Sequence, residues 1–189
     1  MAIKKGIYAA SMSIFNQDLS LDINSTIKHS EKLIEEGLHG VIFLGSTGCA
    51  QLISINEKKK LIDKLNNSKF KDHFMIGTGA NALNENIELM KYALNNGIEK
   101  FLLMPPAYYK YGDDGAYSFY ANVVQKVPES KIILYNFEKL SGYKFSVKII
   151  EKLVRDFPKH IVGVKDITYN LYEVLKIPNF LIFPGSELK

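Results

Sequence analysis

The feature that most constrains this chain is a rhythm. Short apolar runs recur roughly every thirty residues, the length of a strand–helix–strand unit, and an amphipathic stretch separates each from the next. The runs are Gly6–Ser11, Gly40–Gly45, Phe74–Gly79, Lys100–Pro105, Lys131–Asn136, Ile161–Asp166 and Leu181–Gly185. They lack the polar alternation of a half-exposed strand, so they read as strands covered on both faces. Helix punctuation fills the gaps. Ser25 or Thr26 opens a stretch carrying Ile27, Leu33 and Ile34, which stops at Gly37. Ser54-Ile55-Asn56-Glu57 is a capping box ahead of Leu61, Ile62 and Leu65. Asn84 precedes Ile87, Leu89, Met90, Ala93 and Leu94, ending at Asn96-Gly97. Ser146 begins Val147–Phe157, and Pro158 closes it.

Strands alternating with helices imply right-handed βαβ units and an α/β fold with a parallel sheet. Two architectures satisfy this, an open doubly wound sheet and a (β/α)8 barrel, and the unit spacing suits the barrel. A full barrel takes about 250 residues, whereas these 189 residues stop just after the seventh strand. Either the barrel is truncated after strand 7 or the ring stays open, with the first and seventh strands exposing pairing edges. No Pro/Gly/Ser linker or low-complexity segment interrupts the chain, so a single domain over residues 1–189 is expected.

Composition narrows the function classes. The chain is 47% hydrophobic and 23% charged, ordinary for a packed domain, and its net charge of +4 is spread along the sequence. Lys58-Lys59-Lys60 is the one tight basic run, and it lies in a helical pattern beside Glu57 and Asp63. It reads as a solvated helix face rather than a nucleic-acid patch, so no nucleic-acid partner is expected. The single cysteine, Cys49, excludes an intramolecular disulfide and fits a reducing compartment. The first residues lack the apolar core of a signal peptide, and no run is long enough to span a bilayer. A cytoplasmic protein without a membrane partner is the expectation.

In a parallel α/β fold, chemistry collects at the carboxyl ends of the strands. Those ends carry Gly45-Ser46-Thr47-Gly48, Pro105-Pro106-Ala107-Tyr108-Tyr109, Tyr135-Asn136, Lys165-Asp166 and Gly185-Ser186-Glu187. No histidine is among them and no carboxylate cluster has metal spacing; His29, His39, His73 and His160 fall elsewhere. Metal catalysis and a cofactor are therefore not expected. One amine, several phenols, two hydroxyls and a glycine-rich turn remain, the parts for imine chemistry on a small keto acid. A neutral lysine amine attacks a ketone, and the resulting imine draws electrons from a neighbouring carbon–carbon bond. Lys165 is the candidate nucleophile, with burial favouring its neutral form. Tyr135 offers a phenol for proton transfer, or it is a packed aromatic at a strand end. Ser46, Thr47 and Gly48 form a carboxylate-holding turn with relay hydroxyls, or a plain turn into a helix. Tyr108 and Tyr109 head an aromatic run with Tyr111, Tyr117, Phe119 and Tyr120, the composition of a packing or subunit surface. Gly77-Thr78-Gly79-Ala80-Asn81-Ala82 matches a dinucleotide fingerprint, but the acidic partner the fingerprint needs at the end of the next strand is missing, where Leu103-Met104-Pro105-Pro106 stands.

Taken together, these strand-end residues resemble the pyruvate-dependent class I aldolases, the family of dihydrodipicolinate synthase, N-acetylneuraminate lyase and 2-keto-3-deoxygluconate aldolase. Gly45-Ser46-Thr47-Gly48 looks like the family's carboxylate loop, Pro106-Ala107-Tyr108-Tyr109 like its P-x-Y-Y segment and Tyr135-Asn136 like its Y-N step. Gly163-Val164-Lys165-Asp166 looks like its Schiff-base motif, and Gly185-Ser186-Glu187 like the turn after strand seven. The resemblance implies a (β/α)8 TIM barrel whose C-terminal part is missing from the chain as given. It implies Lys165 as imine former, Tyr135 as proton shuttle, and Ser46, Thr47, Gly48, Gly185 and Ser186 around the keto acid. It also implies a homodimer or homotetramer in which Tyr108 enters the neighbour's hydroxyl relay.

Two departures from the family pattern bear on substrate. Cys49 stands where the family has Glu, and Leu140 stands where dihydrodipicolinate synthase carries an Arg that grips a second carboxylate. Leu140 argues for a sugar-acid-derived aldehyde, with cleavage of a 2-keto-3-deoxy sugar acid to pyruvate as the expected reaction. A synthase or keto-acid dehydratase on the same imine scaffold is the alternative. From another class comes a truncated, non-catalytic keto-acid-binding or interaction protein.

Overall fold

The computed structural model describes residues 3–168 and 171–185. Each apolar run becomes a strand: β1 (Tyr8–Ala10), β2 (Gly40–Phe43), β3 (Phe74–Gly77), β4 (Lys100–Leu103), β5 (Lys131–Asn136), β6 (Ile161–Asp166) and β7 (Leu181–Pro184). The strands pair in chain order, every neighbouring pair parallel. This is seven strands of a TIM barrel with alternating helices, a truncated form of the eight-unit ring. The sheet curls far enough that the Tyr8 ring on β1 meets the Phe183 ring on β7 edge-on, 5.3 Å between centroids.

Absence of alternation in the strands has a direct cause, since both sheet faces are covered. Val41, Phe43, Ile76, Leu103 and Leu134 point into the layer beneath the helices. Their chain neighbours Ile42, Met75, Leu102, Ile133 and Tyr135 form a second cluster inside the ring. At about 25 cal/mol per Å² of apolar surface buried, these two layers supply the main favourable contribution to folding.

The helices are α1 (Ile23–Glu35), α2 (Ile55–Leu65), α3 (Leu83–Asn95), α4 (Asp113–Lys126), α5 (Glu138–Ser141), α6 (Val147–Asp156) and α7 (Leu171–Val174). Asp22, rather than Ser25 or Thr26, caps α1, its side chain accepting the Ser25 N–H. An aspartate and a serine are equally good at that position, so spacing alone could not choose. The Ser54–Glu57 capping box opens α2 as expected, and Ser146 caps α6. The aromatic run after Tyr109 lies largely on α4. Tyr120 is fully buried there, and its hydroxyl donates to the Leu103 carbonyl at 2.7 Å. Its packing role is thereby clear.

Lys58 corrects the reading of the lysine run. Lys58, Leu61, Ile62 and Leu65 make up the buried face of α2, so Lys58 is only 2% exposed. Its Nζ donates to the Thr78 carbonyl at 2.9 Å and the Gly79 carbonyl at 3.1 Å. Burial pushes its pKa down from the ordinary 10.5 to about 8. Helical phase, not composition, selects which member of a Lys-Lys-Lys run turns inward.

One irregularity positions the site. The β5–β6 register runs Ile132↔Ile161 and then Ile133↔Gly163, so that Val162 has no partner of its own. Beyond this bulge the pairs are Leu134↔Val164, Tyr135↔Lys165 and Asn136↔Asp166. A side chain added at Gly163 would come 2.6 Å from the Leu181 carbonyl and 2.8 Å from the Ile133 side chain. Glycine is the residue this crowded position admits.

Candidate active site

Tyr135 and Lys165 occupy equivalent places, each next to last on its strand, and they are direct register partners. The Lys165 Nζ sits over the Tyr135 ring, 4.8 Å from its centroid. Burial holds the Lys165 pKa below the ordinary lysine value, because the charged ammonium loses hydration there. Burial likewise raises the Tyr135 pKa, partly offset by a hydrogen bond with Ser46. The phenol therefore stays protonated at neutral pH and able to donate. Its Oη lies 2.9 Å from the Ser46 Oγ, which comes from the loop after β2.

That loop is a tight turn. The Cys49 N–H donates to the Ser46 carbonyl at 3.1 Å and the Ala50 N–H to the Gly45 carbonyl at 3.3 Å. The Gly48 carbonyl accepts the Ser13 hydroxyl at 2.6 Å, tying the turn to the loop after β1. Leu44 and Cys49 flank the turn in the left-handed backbone region, with φ of 58° and 52°. Such a conformation costs a non-glycine residue on the order of 1–3 kcal/mol, so the surrounding packing must enforce it.

A cavity of about 570 Å³ opens beside this turn, lined by Ser46, Cys49, Leu102, Met104, Tyr135 and Leu140 among others. Among the described residues, none of those lining it carries a charged side chain. Lys165 is not among its lining residues; its Nζ lies over the ring of Tyr135, which forms part of the wall. Leu140 enters from α5, about half exposed. Tyr108 lies at the rim with φ of 83° and is 89% exposed, its ring edge-on to Tyr109. Thr47 is exposed and stands outside the lining. Gly48 is buried within the turn. The Gly185 N–H donates to the Asp166 carbonyl at 2.8 Å, joining the ends of β6 and β7. Ser186 and Glu187 lie outside the described residues.

The glycines of Gly77-Thr78-Gly79 have a packing role. A Cβ on Gly77 would overlap the Leu44 carbonyl, and one on Gly79 would overlap the Ala50 side chain. The carbonyls of Thr78 and Gly79 are occupied by Lys58. Asn81 accepts the Ala107 N–H at 3.0 Å and so anchors the segment that carries Tyr108. Sequence reasoning takes Lys58 as part of a solvated lysine run and Asn81 as part of a glycine fingerprint, and gives neither residue a role of its own. Among the described residues, no group of three or more His, Cys, Asp or Glu side chains could hold a metal ion.

Fold and site together define a member of the (β/α)-barrel class with its polar side chains gathered at the carboxyl ends of the strands. Residues 4–187 match the Dihydrodipicolinate synthetase family, and the chain belongs to it. It is 32% identical over 159 residues to a 4-hydroxy-tetrahydrodipicolinate synthase of Hydrogenobaculum sp., covering 82% of this chain and 54% of that protein. Among solved structures it is similar to dihydrodipicolinate synthase from Agrobacterium tumefaciens, with TM-score 0.84 and 26% identity over 89% of this chain and 60% of that one. A second is a prophage protein of the dihydrodipicolinic acid synthase family from E. coli in complex with pyruvate, with TM-score 0.78 and 28% identity over 90% and 57%. The chain spans little more than half the length of the curated relatives it matches.

Proposed function

We propose that this protein is a Schiff-base-forming carbon–carbon lyase that splits a 2-keto-3-deoxy sugar acid into pyruvate and an aldehyde. The observation that carries the reading is the pairing of a buried amine and a protonated phenol on one register row. In this scheme the neutral Lys165 amine adds to the C2 carbonyl, and loss of water leaves an iminium. Tyr135 takes the proton of the C4 hydroxyl as its own phenolic proton moves to Ser46, the C3–C4 bond breaks, and its electron pair moves into the iminium to give an enamine. The aldehyde departs, C3 is protonated, and water releases pyruvate from Lys165. Ser46, hydrogen-bonded to Tyr135, passes the proton onward; with Thr47 and Gly48 it holds the keto-acid carboxylate at the turn.

The choice of a sugar-acid-derived aldehyde is supported by the cavity lining, which offers no cation for a second carboxylate, and by Leu140 within it. The E. coli relative in complex with pyruvate supports the keto-acid half. On the same reading Tyr108, fully displayed at the rim, completes the hydroxyl relay of a second copy in a dimer or a dimer of dimers. The names of the curated relatives favour a second reaction on this scaffold, the condensing synthase.

Incubation with pyruvate and borohydride tests the proposal. A reduced adduct on Lys165, located by peptide mass spectrometry, is expected; unmodified protein or label at another lysine overturns it. A panel of aldehydes and keto sugar acids assayed for pyruvate release or consumption separates lyase from synthase.

A further inference from the structure

The face of β6 on which Lys165 lies is not settled by the strand's own pattern, because Ile161, Val162 and Val164 suit either side of a doubly covered sheet. Ile161 and Val164 pack in the layer under the helices, and Val162 packs inside the ring. With strict alternation from an outward Ile161, Lys165 would also point outward. The unpaired residue at Val162–Gly163 reverses the phase, and Lys165 then falls opposite Tyr135. A bulge sets this phase only if the strand beyond it is held against slipping back.

The next residue pair supplies that hold. Asn136 and Asp166 follow Tyr135 and Lys165 and are 0% and 1% exposed. Asn136 Nδ2 donates to Asp166 Oδ1 at 2.9 Å, and Asn136 Oδ1 accepts the Phe145 N–H at 3.1 Å. Asp166 Oδ1 also accepts the Thr168 N–H at 2.9 Å and the Thr168 hydroxyl at 2.7 Å. Its Oδ2 accepts the Leu171 N–H at 3.0 Å. Of the four donors on this buried carboxylate, those of Thr168 and Leu171 follow it in the same segment, whereas Asn136 Nδ2 comes from β5; a slip of one residue would break that cross-strand bond and leave its desolvated partners uncompensated.

We propose that Asn136 and Asp166 are positioning residues, a buried clamp that locks the bulged register of β6 and so keeps the Lys165 amine inside the ring over Tyr135. Neither touches substrate in this scheme; they act through the strand they pin. The inference builds on the imine reading of Lys165, yet the amine's placement can be read without any substrate. Across from Lys165 in register stand Tyr135 on β5 and Phe183 on β7, and burial is the sole resolved cause of its lowered pKa. A loosened β6 would let the ammonium reach water and regain the ordinary value.

The experiment is competitive acetylation of the intact chain from about pH 6 to about pH 11, with the Lys165 peptide quantified by mass spectrometry to give its titration midpoint. Circular dichroism of each variant confirms folding. In Asn136→Ala the midpoint should rise by about one unit, so that pyruvate–borohydride trapping at neutral pH falls about tenfold. Asn136→Ser withdraws the same cross-strand donor with a smaller loss of packing and carries the test if Asn136→Ala fails to fold; its midpoint should also rise. A folded variant whose midpoint stays at the wild-type value overturns the clamp. Shifted midpoints in a chain whose wild type traps no pyruvate would sink the lyase reading and leave the clamp standing. Trapping with unmoved midpoints would do the reverse.

Discussion

The Tyr135 hydroxyl lies 2.9 Å from the Ser46 hydroxyl, although 89 residues of chain separate them. The contact exists because β2 and β5 deliver their carboxyl ends to one rim of the curled sheet. A phenol joined to a second hydroxyl can give a proton and recover it without a charged partner, as reversible carbon–carbon cleavage requires. Tyr135→Phe should therefore lower kcat for pyruvate release by on the order of 10²–10⁴. Ser46→Ala should cost about tenfold, the size of one lost hydrogen bond in the transition state. Steady-state assays of both variants on the same keto acid check this; a near-normal rate for Tyr135→Phe would leave it a packing residue.

Leu140 sits in a cavity wall without charge. Leu140→Arg should introduce a bidentate grip for a carboxylate and raise kcat/KM for an acid-bearing aldehyde by about 10–100-fold relative to a neutral one. Parallel condensation assays with the two aldehydes and pyruvate measure the ratio.

Lys58 predicts a pH dependence of stability. Its folded pKa of about 8 lies below the ordinary 10.5, so between those values the unfolded chain binds the additional proton. Unfolding free energy should therefore rise as pH climbs from about 8 toward 10.5. Lys100 and Lys165, also lowered by burial, act in the same direction. Tyr111, whose pKa burial raises to about 12, opposes the trend once unfolded tyrosines ionise above 10. Urea titrations at several pH values should show the rise in wild type and a smaller one in Lys58→Met.

Gly163→Ala should destabilise the chain by about 1–3 kcal/mol, because the added methyl meets the Leu181 carbonyl and Cβ, which are fixed by the backbone of β7, as well as the tip of Ile133. The shift of the urea midpoint at constant slope is the measure. Preserved stability would show that the bulge has slack.

Much of this architecture is written in one dimension. The spacing of apolar runs defines the strand–helix order, and Ser54 with Glu57 defines the start of α2. The strand-end residues Ser46, Tyr135 and Lys165 can be named before any coordinates, because a parallel sheet brings its carboxyl ends together whatever the details. The helix Asp113–Lys126 was less legible, since tyrosines and phenylalanines blur the boundary between a helix face and a loop cluster.

Other features depended on phase, and phase is relational. Lys58 looks like its two neighbours until the rotation of α2 against the sheet is known. In Ile161–Asp166 every residue before the lysine tolerates either face, so the linear pattern carries no instruction about where Lys165 points. The sequence by itself determined that a lysine would stand at the end of a buried strand beside a tyrosine-bearing one. Only the tertiary structure decided that the amine faces inward, through the unpaired residue at Val162–Gly163 and the Asn136–Asp166 hydrogen bond. The reason is that side-chain direction alternates with every residue, and one unpaired residue, visible only once two strands are aligned, inverts it.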